Sequence, residues 1–263
     1  MCNLTGKVAL VAGGAGYLGL PVCRKLAEQG ASVAIADINA ERTEMAAEEV
    51  SKTVPGSNVA AFHLDATDEQ SIRETVAGTV EKLGGLNIMV NATSAGIGKL
   101  VEELSVAEFD RALHGNLTAA FLLARESAGR MKSGGSIVMY SSMYGRVAPD
   151  PRIYLHPMKP NPIEYGVAKA GLDQMIRYLA VHWGPQNIRV NGICPGPFPN
   201  ANSPVYVNDP EFGGFVQRLA QKVPLGRVGR RDETAGAVVF LAAEEASFIT
   251  GHIIVVDGGW TAW

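Results

Sequence analysis

"KVALVAGGAGYLGLPVCRKLAEQG", residues 7–30, is the stretch on which the fold turns. Its opening apolar run reads as a β-strand, and "PVCRKLAEQG" has the length and apolar spacing of a helix. The glycines between them fall into two registers. Gly14, Gly16 and Gly19 spell G-x-G-x-x-G, while Gly13, Gly16 and Gly19 give the looser G-x-x-G-x-x-G. A glycine loop that leaves a strand and opens a helix lets backbone approach a pyrophosphate, which then sits where unpaired N–H groups and the helix dipole favour anions. On the glycines alone, a tight turn without a ligand is the competing reading.

The same alternation runs along the chain. Strand-like runs recur at 32–37, 58–64, 86–91, 135–142, 187–193 and 252–257, making seven with the first, and helix-period segments fill 39–54, 68–84, 106–132 and 164–183. Strands alternating with helices imply parallel pairing through right-handed crossovers, hence a doubly wound sheet of about seven parallel strands with helices on both faces. Residues 1–263 read as a single α/β domain, without repeats, low-complexity tracts or linkers. Two segments rich in Pro, Gly and Asn, 146–162 and 195–214, interrupt the rhythm. They are expected to wall a substrate site beyond the carboxyl ends of the strands.

Composition excludes several classes. With 47% hydrophobic and 19% charged residues the chain has material for a sizeable core. A net charge of -3 offers no general attraction to nucleic acid or to anionic membranes. Cys2, Cys23 and Cys194 are too few and scattered for a disulfide framework or a metal cluster, which fits a reducing cytoplasm. No apolar run reaches spanning length, and no signal-peptide pattern precedes the first strand.

The second strand ends in Asp37, 18 residues after Gly19. A carboxylate there can accept hydrogen bonds from both hydroxyls of an adenosine ribose and would repel a 2'-phosphate, so NAD is expected rather than NADP. The glycine loop and the residues just after Asp37 lack Arg and Lys, which points the same way. The alternative role for Asp37 is to cap the helix that begins near Ala40. Further on, "YGVAKAG" sets Tyr165 and Lys169 four residues apart on one face of a helical segment. A phenol with pKa near 10 is a poor base at neutral pH, but a nearby ammonium and a bound nicotinamide cation would stabilise its phenolate.

Taken in order, the glycine loop, Asp37, "HGNLTAAF", "SIVMYSS", "YGVAK", "RVNGICPGP" and "ITGHIIVVDGG" resemble the short-chain dehydrogenase/reductase family across nearly the whole chain. The resemblance implies a Rossmann-like single domain, an NAD-dependent oxidoreductase acting on a secondary alcohol and its ketone, and catalytic roles for Asn116, Ser142, Tyr165 and Lys169. Ser142 is preferred over Ser141 because it stands in an S-x-x-G context with Gly145. Tyr165 would exchange the proton with the substrate oxygen, and Ser142 would donate a hydrogen bond to that oxygen. Lys169 would hold the nicotinamide ribose and depress the tyrosine pKa, and Asn116 would position a water. No metal is implied. The cofactor side would consist of Gly13, Gly16, Tyr17, Leu18, Gly19, Asp37, Asp65 and Asn91, with Tyr165 and Lys169. Asp65 would meet the adenine amino group, with helix N-capping as its alternative role. A homotetramer or homodimer is the assembly the resemblance implies.

Three departures qualify it. Ala12 and Tyr17 stand where the usual glycine loop has Thr and Gly, and the observed spacing resembles the extended branch that includes sugar-nucleotide epimerases and dehydratases. "NATS" at 91–94 stands where N-N-A-G is usual. The separation of Ser142 and Tyr165, 23 positions, is about ten more than is usual in the family, and places Tyr154, His156 and Lys159 near the substrate, each also readable as a packing or solvated loop residue. The polar, proline-rich insertion favours a sugar, sugar acid or polyol over a steroid or acyl chain. An epimerase or dehydratase using NAD transiently, and a non-catalytic NAD-binding sensor, are the alternative functions.

Overall fold

A computed structural model describes residues 2–156, 158–203 and 210–263. Seven strands, β1 (Val8–Ala12), β2 (Ser32–Asp37), β3 (Val59–His63), β4 (Ile88–Asn91), β5 (Gly135–Tyr140), β6 (Ile188–Pro195) and β7 (Ile253–Val256), form one sheet in the order β3-β2-β1-β4-β5-β6-β7. Every pairing is parallel. Alternate residues of β1 show why its sequence is apolar throughout. Ala9 and Val11 pack with Val22 and Leu26 of α1 (Gly19–Glu28) and Val238 and Leu241 of α8 (Ala235–Ala242). Leu10 and Ala12 face the opposite layer, with Ile72 of α3 (Glu69–Leu83), Leu123 of α5 (Ala119–Ala128) and Leu172 of α6 (Ile163–Trp183). A strand buried on both sides cannot alternate with polar residues.

The succession of strands across the sheet reverses between β1 and β4, which opens a crevice at the carboxyl ends of these strands. Cys23 and Cys194 are buried, and no disulfide links them. Among the described residues no three His, Cys, Asp or Glu side chains could together hold a metal, and no helix is long and apolar enough to cross a membrane.

Helix boundaries differ from expectation in three places. The single helix expected over 106–132 is broken into α4 (Val106–Leu113), a π turn (His114–Thr118) and α5. The cause lies at Asn116, whose Nδ2 donates to the Ala112 carbonyl at 2.8 Å, the acceptor that a regular helix reserves for the Asn116 backbone N–H. The segment 195–214 ends early because α7 (Phe212–Lys222) begins within it, and its residues 204–209 lie outside the described ones, as does Pro157 of the other insertion. Helix α8, "AGAVVFLA", lacks the polar face that marks a helix in sequence. The remaining helix, α2 (Ala40–Thr53), is capped by Asn39, whose Oδ1 accepts from the Arg42 backbone N–H at 2.9 Å.

After β5 a short turn, Met143–Gly145, packs directly on α6. A Cβ at Gly145 would lie 2.8 Å from the Lys169 carbonyl carbon and 2.9 Å from the Ala170 nitrogen, both fixed helix backbone. Gly145→Ala should therefore destabilise the fold by about 1–3 kcal/mol through overpacking. In a thermal melt this is a fall in Tm of roughly 2–4 °C per kcal/mol; an unchanged Tm would show that turn and helix can separate freely.

Candidate active site

The crevice between β1 and β4 is a cleft of about 520 Å³ that runs from Asp37 and Asp65 at one end to Tyr165 and Lys169 at the other. Its floor is the glycine loop. Gly13, Gly16 and Gly19 line the cleft with Tyr17 and Leu18, whereas Gly14 turns inward, where a Cβ would lie 2.8 Å from the Val11 carbonyl and 2.9 Å from Ile35. Gly13 has φ +75°, and a Cβ there would come within 2.7 Å of the Ala92 carbonyl. At Gly19 a Cβ would collide with the Gly13 carbonyl oxygen. The start of α1 has no side-chain cap and no acid in its first turn, which leaves backbone N–H groups and the positive dipole end for an anionic ligand. Tyr17, unusual in such a loop, has its hydroxyl donating to the Pro199 carbonyl at 3.3 Å, and so ties the glycine loop to the segment after β6.

Asp37 lines the cleft and does not cap α2, the role Asn39 takes. Sequence reasoning passed over Arg42. It lies five positions beyond Asp37, in the first turn of α2, where helix geometry returns it to the cleft, and its guanidinium donates to the Ala15 carbonyl at 2.9 Å. Asp65 also lines the cleft; its carboxylate accepts from the backbone N–H of Thr67 at 2.8 Å and the Thr67 hydroxyl at 2.7 Å, bonds that hold its pKa below the ordinary value. The cap of α3 is Asp68, not Asp65. Asn91 is buried at the end of β4 and spends its Oδ1 on the Thr93 backbone and hydroxyl, at 3.0 and 2.7 Å. It shapes the turn from which Ala92, Thr93 and Ser94 reach the cleft wall.

The chemistry-bearing side chains meet where β5 ends against α6. Lys169 is only 2% exposed; its Nζ donates to the Tyr140 carbonyl at 2.7 Å and lies 5.4 Å from the centre of the Tyr165 ring. Burial lowers its pKa to about 8, against the opposing pull of the Asp173 carboxylate one turn further along α6. Burial raises the Tyr165 pKa, and the neighbouring hydroxyls of Ser142 and Ser94 draw it back down. The two adjacent serines diverge. The Ser141 hydroxyl is buried against Asp173, while Ser142, the first residue of the S-x-x-G turn, lines a second cavity together with Tyr165. Asn116 spends both amide hydrogens, on Ala95 O at 2.7 Å and Ala112 O at 2.8 Å, and its Oδ1 accepts from the Ala95 N–H at 3.1 Å. Its side chain therefore fastens the loop after β4 and has no donor left for a water.

The second cavity, about 310 Å³, opens on the other side of Tyr165. Of the three insertion residues considered from sequence, Tyr154 reaches it and hydrogen-bonds the Tyr144 hydroxyl. Lys159 is instead paired with Glu103 at 2.7 Å, and His156 is exposed and outside the lining. Asn161, just before α6, lines the cavity and was not singled out from sequence. It stands four residues before Tyr165, just ahead of the extended Pro162 that precedes α6. Asn191 and Asp257 are occupied structurally, Asn191 with Ile249 and His252, Asp257 with Gly259 and Thr261.

This set of residues fits a nicotinamide dinucleotide. The uncapped α1 start and the glycine cradle suit its pyrophosphate, Asp37 a ribose, and Lys169 and Tyr165 the nicotinamide end.

Known proteins place the chain in context. Residues 14–261 match the family described as Enoyl-(Acyl carrier protein) reductase. The trans-4-hydroxycyclohexanecarboxylate dehydrogenase of Sinomonas cyclohexanicum is 35% identical over 261 residues, covering 97% of this chain and 93% of that protein. A short-chain type dehydrogenase/reductase from Mycobacterium marinum superposes with a TM-score of 0.86 at 29% identity, over 99% of this chain and 98% of the other. The NADPH-dependent 3-quinuclidinone reductase of Rhodotorula rubra gives 0.87 at 26% identity, over 99% and 93%. With a continuous match from the glycine loop to the last strand, and with a seven-stranded parallel sheet of the same kind, the chain belongs to the short-chain dehydrogenase/reductase family of oxidoreductases.

Proposed function

We propose that the protein is an NAD-dependent dehydrogenase that interconverts a secondary alcohol and its ketone on a small hydroxylated molecule. The observation that carries this reading is the position of Tyr165. It lines both cavities, with an ammonium 5.4 Å from its ring centre on the cofactor side and Ser142 beside it on the substrate side. When bound, the nicotinamide supplies the hydride acceptor or donor. In the oxidising direction the Tyr165 phenolate takes the hydroxyl proton of the substrate. Ser142 donates a hydrogen bond to the same substrate oxygen and stabilises the charge that grows there. Lys169 stabilises the phenolate, and Asn116 acts at one remove, by holding Ala95 and the adjoining wall residue Ser94 in place.

NAD is favoured because the Asp37 carboxylate would repel a 2'-phosphate. Arg42 supports a second reading, in which its guanidinium accepts that phosphate and NADP is used, as in the NADPH-dependent structural relative. A multi-copy assembly is supported by exposed apolar residues on α6, Val167, Tyr178 and Val181, and at the far end of the chain, Phe248 and Trp263. The family resemblance implies a tetramer.

Three outcomes are expected. Tyr165→Phe should lower kcat by at least about 10²-fold while the dissociation constant for NAD, read by fluorescence titration, changes little. Undiminished turnover would exclude Tyr165 as the acid/base. Wild-type protein should prefer NAD over NADP in kcat/KM, and Asp37→Ala should shift the ratio toward NADP by roughly tenfold or more; a wild-type preference for NADP would favour Arg42 as the deciding residue. The pH profile follows from the signs. Oxidation needs the phenolate, so kcat/KM rises with pH as Tyr165 deprotonates, a limb that burial of the phenol sets on the alkaline side. Ser142→Ala removes a bond that favours the phenolate, so the ascending limb should move to higher pH. A limb that stays put or moves down would remove Ser142 from contact with the tyrosine.

A further inference from the structure

The segment that ends β6 and leaves it is built to move as one stiff piece. In "CPGPFP", residues 194–199, every residue is a proline or stands before one. Proline fixes its own φ and disfavours the helical region for the residue ahead of it, so a displacement at one end of this strip is carried to the other. The strip is also a shared wall. Pro195 and Phe198 line the cofactor cleft, and Phe198 and Pro199 line the second cavity with Ser142 and Tyr165.

Its attachments differ along its length. The Gly196 N–H donates to the Val256 carbonyl at 2.9 Å, and the Pro197 carbonyl accepts from the Gly229 N–H at 2.9 Å. Phe198 is seated on Gly229, where a Cβ would collide with its ring. These contacts belong to the frame of the fold. Pro199 is held by a part of the cofactor site instead, since its carbonyl accepts from the Tyr17 hydroxyl at 3.3 Å. Tyr17 stands between Gly16 and Leu18 in the glycine loop and lines the cofactor cleft beside them. A phosphate is held in such a loop by backbone N–H groups, so the task of the hydroxyl lies elsewhere.

We propose that Tyr17 is a positioning residue that makes the substrate wall respond to the cofactor. A dinucleotide that steadies the glycine loop steadies Pro199 and, through the stiff strip, Phe198, before the alcohol enters. This rests on the reading of the cleft as a nicotinamide dinucleotide site and deepens it. Order imposed by the first ligand is order that the second need not supply, so cofactor binding favours substrate binding.

The test is amide hydrogen exchange, read by mass spectrometry, which reports local opening segment by segment. Wild-type protein and Tyr17→Phe are compared without cofactor and with NAD or NADP, each at ten times or more the dissociation constant that fluorescence titration gives for that protein. The substitution keeps the ring in the cleft and removes only the hydroxyl. In wild type the cofactor should slow exchange both in the glycine loop and in residues 196–203. In Tyr17→Phe the glycine loop should still be protected, while the protection of 196–203 falls by about threefold or more, as expected for one lost hydrogen bond. A wild-type segment 196–203 that ignores the cofactor while the glycine loop is protected overturns the proposal, and needs no variant to do so. Protection by the same factor in both proteins also overturns it, even if 196–203 exchanges faster throughout in Tyr17→Phe, because Tyr17 is then a static tether. A wild-type glycine loop that neither cofactor protects overturns the dinucleotide reading and this assignment with it, whereas the first two outcomes overturn Tyr17 alone.

Discussion

A lysine ammonium almost withdrawn from water is the constraint around which the site is arranged. Lys169 keeps its charge through one short bond to the Tyr140 carbonyl, the last residue of β5, and through the field of Asp173. Neither partner is adjacent to it in sequence by accident of a loop. Tyr140 is delivered by the sheet, and Asp173 follows four residues along α6 on the same helix face. Asp173 is in turn held by the Ser141 hydroxyl and by Arg146, at 3.4 Å, so the two residues after β5 divide the labour. Ser141 bonds the carboxylate that supports the lysine, and Ser142 lines the second cavity. A buried cation with partners fixed in this way is a pre-set electrostatic device beside the Tyr165 ring.

Close backbone contacts make that arrangement possible. Gly145 lets the turn after β5 lie directly on the α6 backbone, and Gly166 admits the Tyr144 carbonyl from the other side. The pairing brings Ser142 next to Tyr165 although 23 residues separate them. The third wall, the loop after β4, is fastened by two side chains. Asn116 binds Ala95 with both its polar atoms, and Glu164, the residue before the tyrosine, accepts from the Ile97 N–H at 3.0 Å. The π turn around Asn116 follows from the same contacts, because an amide engaged with the carbonyl four residues back displaces the regular backbone bond. Positioning of this kind contributes to rate without any contact with the reacting atoms.

Electrostatics at the opposite end of the cleft are more balanced. Asp37 and Arg42 both face it, one repelling a 2'-phosphate and the other suited to receive it. Arg42 also binds the Ala15 carbonyl, so part of its donor capacity is already engaged with the glycine loop. Tyr17 adds a tether from that loop to Pro199, a residue that lines the second cavity. Tyr17, standing where a glycine is usual, thus leaves Gly13, Gly16 and Gly19 lining the cleft and adds a contact between the walls of the two cavities.

What the sequence determined by itself is the part of the protein written in local periodicity. The seven strands, their parallel pairing, and the strand–glycine loop–helix unit could be read from runs such as "VALVA" because a buried parallel strand has no polar face and a close approach to phosphate admits little but glycine. Tyr165 and Lys169 could be placed on one helix face from their spacing, and the resemblance across the chain singled them out. Only the tertiary structure decided that the Ser141 hydroxyl is spent on Asp173 and that Asn116 is spent on backbone. It also decided that Arg42 and Asn161 reach the cavities while His156 and Lys159 do not. These outcomes depend on contacts between segments far apart in the chain, set by how closely a turn can approach a helix, and no local spacing encodes that distance.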